Sequence, residues 1–542
     1  MPATKSTKFS NKSKMTIKEA SIWATDYLDK DISPTNISYL IQYGKVKKHG
    51  LNGATLVDIN ELKKYYQSWR GGREIGWKKQ LGDDLNWALS FDDLRERETT
   101  KHVHRLHPYK GKFIPQLVAY FIDSHKDKFK KHVYFRPNDI LLAPFCGSGT
   151  SLVQANELGM HAIGIDISHF NCMISSVKLG TYDFESLRQE IEHIKSALVA
   201  YEHDMHVSAF EAELAQKLNA FNKEHFPSVD FKYALAQGKI DETAYAKEKE
   251  KQFLKTYKRL LKKHGVELEQ KESHRFLDKW YCKTVRKEID FVFARIQKMQ
   301  NPHNKQVLSL ILSRTLRSCR ATKHYDLATL KQPQRTTYYC WKHKKICKPL
   351  YSIKYWFGRY ANDTMARLQE FAALKTEAHV ALLPADARSV DIFAEVKKRN
   401  KAFYKSLAKQ KIRGIFSSPP YVGQIDYHEQ HAYAYELFGF ARQDELEIGP
   451  LYKGQGVAAR RSYVEGIASV LANCKKFLAA DYDIFLVAND KYNLYPQIAD
   501  KAGMQIVNKF KRPVLNRTER SRTPYAEIIF HLKEPNIRFF VA

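Results

Sequence analysis

No apolar run in this chain approaches the ~18 residues that a membrane-spanning helix needs. The opening stretch, MPATKSTKFSNKSKM, is basic and polar and has no apolar centre, so it does not read as a secretory signal. It reads as a solvated tail over residues 1–14. Cysteine is scarce: seven are scattered over 542 residues, an odd number, which excludes a disulfide framework and points to a reducing compartment. Internal repeats are absent, and nothing beyond the tail is of low complexity. Acidic residues are also short, at 59 Asp and Glu against 89 Lys and Arg, a formal charge of +30. That surplus, interleaved with 13% aromatic residues, predicts a polyanionic partner and nucleic acid in particular.

The length predicts two to four domains. Residues 15–67 hold Ile17, Ala20, Trp23 and Ala24 at helical spacing. Ser33-Pro34 opens a second helix with Ile37, Leu40 and Ile41 on its apolar face, and Gly44 is placed to end it. A basic hairpin candidate, KVKKHGLNGATLVD, and a helix around Glu61–Tyr66 follow. Helix, helix, wing, helix is similar to the winged helix-turn-helix of the MerR and excisionase type. Residues 68–100 read as a linker. Over 181–376 glycine becomes rare and long charged helices dominate, which predicts a mostly helical insert. Residues 101–180 and 377–542 flank it with alternating strands and helices, an α/β pattern. The last two strands, in GMQIVNKFKRPVL and YAEIIFHLK, are expected to pair antiparallel at a sheet edge.

Three punctuation marks in the α/β part carry chemistry. FCGSGT (Phe145 to Thr150) sits between an apolar strand and a helix, where glycines admit a ligand close to the backbone and the helix N-terminus favours negative charge. The third glycine of a GxGxxG fingerprint is missing, since Leu152 stands there. The next strand ends on Asp166, placed to accept from ribose hydroxyls, and Asp386 in LLPADARS ends another, placed to accept from an adenine amino group. FSSPPYVGQIDY then follows an apolar strand with two adjacent prolines, which stop it.

HPYKGKF, FCGSGT, GID, ADAR and SSPPY, in that order, resemble the amino-directed DNA methyltransferases, and the Ser-Pro-Pro-Tyr form is most similar to the N4-cytosine members. The resemblance implies a Rossmann-like fold with S-adenosylmethionine as cofactor and a target-recognition insert. His107, Lys112, Phe113 and Pro115 match the stretch over the methionine end of that cofactor. Phe145, Gly147 and Gly149 match its loop, and Asp166 and Asp386 its ribose and adenine acids. Ser418, Pro419, Pro420 and Tyr421 match the catalytic motif. The family's Leu-Asp-Pro-Phe is Leu142-Ala143-Pro144-Phe145 here, so one carboxylate is gone.

An exocyclic amine must become more tetrahedral to attack a sulfonium methyl, and acceptors on its N–H groups favour that shape. Ser418 Oγ and the Pro419 carbonyl can be those acceptors, and Tyr421 can stack a base flipped out of the duplex. Methylation at cytosine C5 needs a nucleophilic cysteine in a Pro-Cys motif, and no cysteine here follows a proline.

Arg314 and Arg317, continued by Arg320 and Lys323, make a basic stripe suited to phosphates. Tyr427 and His428 could line the base pocket, and the basic stretch Leu515–Glu527 could contact DNA. Cys340, His343 and Cys347, with Cys319 and His324 upstream, could hold zinc. The spacing is not a CxxC pair, so reduced structural cysteines are the default and no metal is assigned. The resemblance further implies double-stranded DNA as partner, a prokaryotic cytoplasm, and a restriction–modification or related defence system with a cognate restriction endonuclease. N6-adenine transfer, an RNA base-amine methyltransferase and a catalytically degenerate DNA-binding protein stay open as alternatives.

Overall fold

A computed structural model describes residues 13–28, 31–50, 55–68, 80, 85–91, 94–204, 206–270, 274–324, 330–514 and 525–535. The expected tail, much of the expected linker and most of the basic stretch after Leu515 lie outside the described residues.

The amino-terminal part closes on a core of its own. β1 (Lys14–Thr16) runs into α1 (Ile17–Leu28), and α2 (Pro34–Gln42), β2 (Leu56–Asp58) and α3 (Ile59–Gln67) follow. Ser33 caps α2: its hydroxyl accepts from the Asn36 N–H, and the Asn36 side chain accepts from the Ser33 N–H. Asp58 caps α3 by accepting from Asn60 and Glu61. Met15, Trp23, Ile37, Ile41, Val57 and Leu62 meet inside. The three helices stand where their periodicity put them, and the expected wing gains a strand that its sequence did not announce. β2 pairs antiparallel with β1, and among the described residues one bridge, His49 to Leu56, joins the expected hairpin arms. Val46 turns into the core instead of lying in a two-stranded ribbon. An isolated short hairpin is marginal in water, and the strand ahead of α1 supplies a better partner.

β3 (Ile140–Ala143) and β4 (His161–Asp166) come next, then a short hairpin of β5 (Tyr338–Cys340) and β6 (Lys345–Cys347). β7 (Val380–Pro384), β8 (Ile412–Ser417), β9 (Leu478–Ala488), β10 (Gln505–Pro513) and β11 (Ala526–Lys533) complete the strands. Seven of them form one sheet in the order β10-β11-β9-β8-β3-β4-β7. β7, β4, β3, β8 and β9 are parallel, while β11 runs antiparallel to both neighbours and leaves β10 at the edge. The expected antiparallel last pair is therefore present. Residues 85–91 cover part of that edge: Asn86 N–H donates to the Lys511 carbonyl, and Arg512 donates to that of Leu89.

Alternation along the strands feeds two layers. Leu141 and Ala143 of β3 face one core; Ile140 and Leu142 face the other. The first side is covered by α4 (Pro115–Ile122), α5 (Thr150–Glu157) and α6 (His169–Leu179). All the helices between β4 and β7 join that side: α7 (Phe184–Asp204), α8 (Val207–His225), α9 (Asp230–Ala236), α10 (Glu242–His264), α11 (Lys283–Gln297), α12 (Pro302–Cys319) and α13 (Lys354–Ala372). Residues such as Leu187, Ile311 and Phe371 share one continuous core with Phe170, Leu141 and Phe416. The second side is covered by α14 (Ile392–Arg399), α15 (Lys401–Leu407), α16 (Val457–Lys475) and α17 (Tyr495–Lys501). The amino-terminal unit rests on α9, where Lys232 Nζ donates to the Gln42 carbonyl at 2.7 Å. No helix among the described residues is long and apolar enough to cross a membrane.

Candidate active site

From β3 the chain steps to β4 and β7 on one side, then crosses to β8 on the other. Loops leaving the carboxyl ends of these strands diverge at that switch point and leave a crevice. A pocket of about 910 Å³, counting its open mouth, fills it. Lys112, Phe113, Phe145, Gly147, Asp166, Asp386, Ser418, Pro420 and Tyr427 all line this pocket. Residues more than 300 positions apart in the chain are thus brought to one wall.

The glycine loop is held from three sides. Gly147 has φ +53, and a Cβ there would meet the Tyr109 ring at 3.2 Å, so only glycine fits without strain. Its N–H donates to Asp166 Oδ2 at 2.7 Å. The Cys146 N–H donates to the Ile165 carbonyl at 2.9 Å. Ser417 Oγ accepts from the Phe145 N–H at 3.3 Å and donates to the Phe145 carbonyl at 3.2 Å. These contacts brace the loop that lacks a carboxylate at Ala143.

Asp166 also accepts from the Ser168 N–H and from Asn171 Nδ2, at 2.9 and 3.1 Å. Burial pushes its carboxyl up to about 6 despite those donors. Asp386 is held differently: Arg388 donates to both its oxygens at 2.6–2.9 Å. A ligand amine at Asp386 would have to share that carboxylate. Lys112 donates to the His104 carbonyl at 2.6 Å, and burial lowers its ammonium to about 8.

S-adenosylmethionine asks for hydroxyl acceptors, an apolar slot and partners for its amino and carboxyl groups. Several buried pocket-lining atoms have no hydrogen-bond partner among the described residues, including Ser148 Oγ, Asn171 Oδ1 and both ring nitrogens of His428. Buried polar atoms are rarely left unpaired, so this wall fits a polar ligand. The two acids and the flanking Phe113 and Phe145 supply the rest.

At the end of β8, Ser417 and Ser418 divide. Ser417 is buried and stitched to Phe145, whereas Ser418 lines the pocket beside Pro420. Tyr421 lies outside the pocket wall and donates to Glu527 Oε1 at 3.0 Å. Burial, then the charge of Glu527, drives its phenol well above the ordinary value. Pro419 is buried beneath the corner.

Seven further predicted residues sit behind the wall or away from it. His107 is fully buried under Phe170 and His431, and burial holds its imidazole well below the usual range. Pro115 opens α4 inside the core. Gly149, at φ +76, caps α5, where a Cβ would stand 2.6 Å from Ser175 Oγ. Arg314 does not join an exposed stripe: it is 5% exposed, donates to Thr364 and pairs with Asp363 at 2.6 Å. Arg320 is buried too, with its guanidinium over the Tyr433 ring. Arg317 and Lys323 stay half-buried. The stripe fails because α12 is buried on nearly every side, its polar residues Ser309, Ser313 and Thr315 included, so spacing alone does not say which face meets solvent.

The sequence reading missed Tyr109, Asn171 and Glu447. Tyr109 stacks on Tyr427 at 5.8 Å, and its hydroxyl accepts from Asn171 Nδ2. An aromatic inside HPYKGKF was the available signal. Glu447, pushed up to about 7 by burial, accepts from the His428 N–H at 2.7 Å; nothing in its loop sequence marked it.

Comparison with known proteins adds a separate line. The DNA methylase family model matches residues 6–176. Over 522 residues, 96% of each chain, the sequence is 45% identical to the type II methyltransferase M.MjaII of Methanocaldococcus jannaschii. It is also 32% identical over 119 residues to the type II methyltransferase M.MvaI of Kocuria varians, covering 21% of this chain and 24% of that one.

Proposed function

The chain belongs to the DNA methyltransferases that modify exocyclic base amines with S-adenosylmethionine as methyl donor, and we propose that its target is N4 of a cytosine within a short specific duplex sequence. One observation carries this reading. Ser418 shares a pocket with Asp166 and Asp386, so a hydroxyl acceptor and two acids line one slot.

S-adenosylmethionine, when bound, supplies an electrophilic methyl on sulfur. Asp166 would hold the ribose hydroxyls, and Asp386, shared with Arg388, the adenine end. Phe113, Phe145 and Gly147 would close the slot, and Lys112 would meet the carboxylate. His107, Pro115 and Gly149 position these residues from behind.

Ser418 Oγ and the Pro419 carbonyl accept from the two N–H groups of the target amine, which favours its tetrahedral form as it attacks. Pro419 and Pro420 fix the direction of that carbonyl, since neither can donate or rotate about φ. Tyr421, pinned by Glu527 just outside the pocket wall, would offer a ring to a base flipped from the duplex as that base enters, and Tyr427 would meet it from the wall itself. No strong base is required, because the amine proton becomes acidic after transfer. Most of the barrier reduction comes from holding the amine in line. The amino-terminal unit, Arg317 and Lys323 engage the duplex. Relatives named as type II methyltransferases support placement in a restriction–modification system, beside a cognate endonuclease in a prokaryotic cytoplasm.

Incubation with methyl-labelled S-adenosylmethionine and double-stranded DNA, followed by digestion to nucleosides, tests the reading. N4-methylcytosine is expected. Label on adenine N6 would overturn the choice of base, and no label on any DNA despite bound cofactor would overturn the enzyme.

A further inference from the structure

Outside the pocket, two cysteines and two histidines meet at the β5–β6 hairpin. Cys340 ends β5, His343 lies in the turn, Cys347 ends β6, and His324 comes from the segment after α12. One ligand atom from each, a sulfur or an imidazole nitrogen, can be chosen so that all four lie within 4.8 Å of one another. Cys347 Sγ is 3.5 Å from His343 Nδ1, and Cys340 Sγ is 3.6 Å from His324 Nδ1. In a zinc tetrahedron, bonds of about 2.3 Å to sulfur and about 2.0–2.1 Å to nitrogen set the sulfur–nitrogen edge at about 3.5 Å. The observed spacings equal that edge.

From this geometry we propose that His324, Cys340, His343 and Cys347 bind one structural zinc ion. Four protein ligands close the coordination sphere and leave no position for water, so the ion holds structure and takes no part in the transfer. Two thiolates with two imidazoles in a tetrahedron select zinc over the hard divalent cations. The Tyr338 hydroxyl accepts from the His324 backbone N–H and lies 2.9 Å from Nδ1; with Nδ1 given to the ion, it would release the ring nitrogen and keep the backbone bond that anchors this residue. Cys319, the upstream cysteine considered with this group, is not in the cluster; it is buried at the end of α12.

The ion would tie down the second face of the hairpin. Its strands have three residues each; Tyr339 and Ile346 pack into the main core, while Tyr338, Cys340 and Cys347 form a cluster apart from it. Polar contacts add to this, chiefly the Asn222 side chain bonded both ways to Ile346 and Lys344 paired with Glu242. The ion joins this second face to the chain after α12, the stretch that carries Arg320 and Lys323. The turn itself presents Trp341, which is 41% exposed, beside Lys342 and Lys344.

Full-length protein is reduced, loaded with zinc, desalted and analysed by mass spectrometry for metal. About one zinc per chain is expected, and the Cys340→Ser/Cys347→Ser pair should carry none. His343→Cys should retain the ion, which separates ligation from failure to fold. Cobalt in place of zinc should show tetrahedral visible bands with thiolate charge transfer, stronger in His343→Cys. Limited trypsinolysis at Lys342, Lys344 and Lys345 should run at least about tenfold faster after chelation. Loaded protein without zinc, a serine pair that still holds it, or an octahedral cobalt spectrum would each overturn the site. Cleavage indifferent to chelation would overturn its structural role.

Discussion

Ser417 Oγ hydrogen-bonds both ways with the backbone of Phe145, accepting at 3.3 Å and donating at 3.2 Å across 272 residues of sequence. The neighbouring Ser418 makes no part of that stitch and faces the pocket. Two adjacent serines therefore belong to different tasks. Ser418→Ala should slow methyl transfer roughly a hundredfold, with S-adenosylmethionine affinity held within about twofold. Ser417→Ala should do the reverse, loosening the cofactor loop and weakening cofactor binding more than the single-turnover rate. Calorimetry and rapid-quench transfer assays on both variants check this. A cofactor-binding loss in Ser418→Ala would remove its assigned role.

Asp166 gives the pocket a pH dependence. Its carboxyl, ordinarily near 3.8, is raised to about 6 by burial. Between about pH 4 and pH 6 the folded protein keeps a proton that the unfolded chain has released, so this group lowers stability as pH rises through that window. Cofactor affinity, which needs the ionised acceptor, should move the other way and fall by up to tenfold per unit below pH 6. Asp166→Asn should bind weakly at all pH values and flatten both slopes. Calorimetry and thermal melts from pH 4.5 to 8 measure the two.

Gly147→Ala combines a left-handed φ with a Cβ 3.2 Å from the Tyr109 ring. The backbone strain alone is worth about 1–2 kcal/mol. Cofactor affinity should drop at least about tenfold. Adding Tyr109→Ala removes the contact but not the strain, so the double variant should recover only part of the loss. A double-variant cycle on cofactor affinity gives the coupling.

Arg314 and Arg317, one helical turn apart, should separate structure from binding. Arg314→Ala leaves Asp363 short of its buried partner and should cost about 3 kcal/mol of stability. Arg317→Ala should leave stability within about 0.5 kcal/mol. It should weaken DNA binding uniformly across sequences and reduce the salt slope by about one. Chemical denaturation and salt-dependent binding distinguish them.

Tyr421 should split by substituent. Tyr421→Phe removes the bond to Glu527, which keeps its pairing with Arg512, and retains the ring, so it should change DNA affinity little. Tyr421→Ala should lose roughly 1–3 kcal/mol of affinity for a substrate carrying an abasic partner opposite the target. Fluorescence anisotropy with such a duplex measures both.

The sites that announced themselves were those with local punctuation. A glycine turn, an acid at a strand end and a double proline are each written within a few residues, and Gly147, Asp166, Asp386 and Ser418 do meet in one pocket. What stayed hidden was non-local. His107 and Pro115 stand close in sequence to pocket residues yet point into the core, because one turn of chain reverses a side chain's direction. Arg314 carried a charge that suggested solvent, and Asp363, distant in the sequence, answered it inside. The wing was read incompletely for the same reason, since β2, besides its bridge to His49, pairs with a strand on the far side of two helices in the sequence. The missing carboxylate at Ala143 could not be weighed from sequence, because the groups that brace the loop, Asp166 and Ser417, come from other strands.

The helices between β4 and β7 have no core separate from the sheet they cover, for Leu187, Ile311 and Phe371 lie in the same apolar interior as Phe170 and Leu141. That sets how this protein can change over time. A cassette of residues 181–376 taken from a relative would have to match the face of this sheet at every buried contact, or one side of the sheet would lose its cover. Change along this stretch is therefore tolerated at the outward surface of the helices, one substitution at a time, and resisted on the face they turn to the sheet.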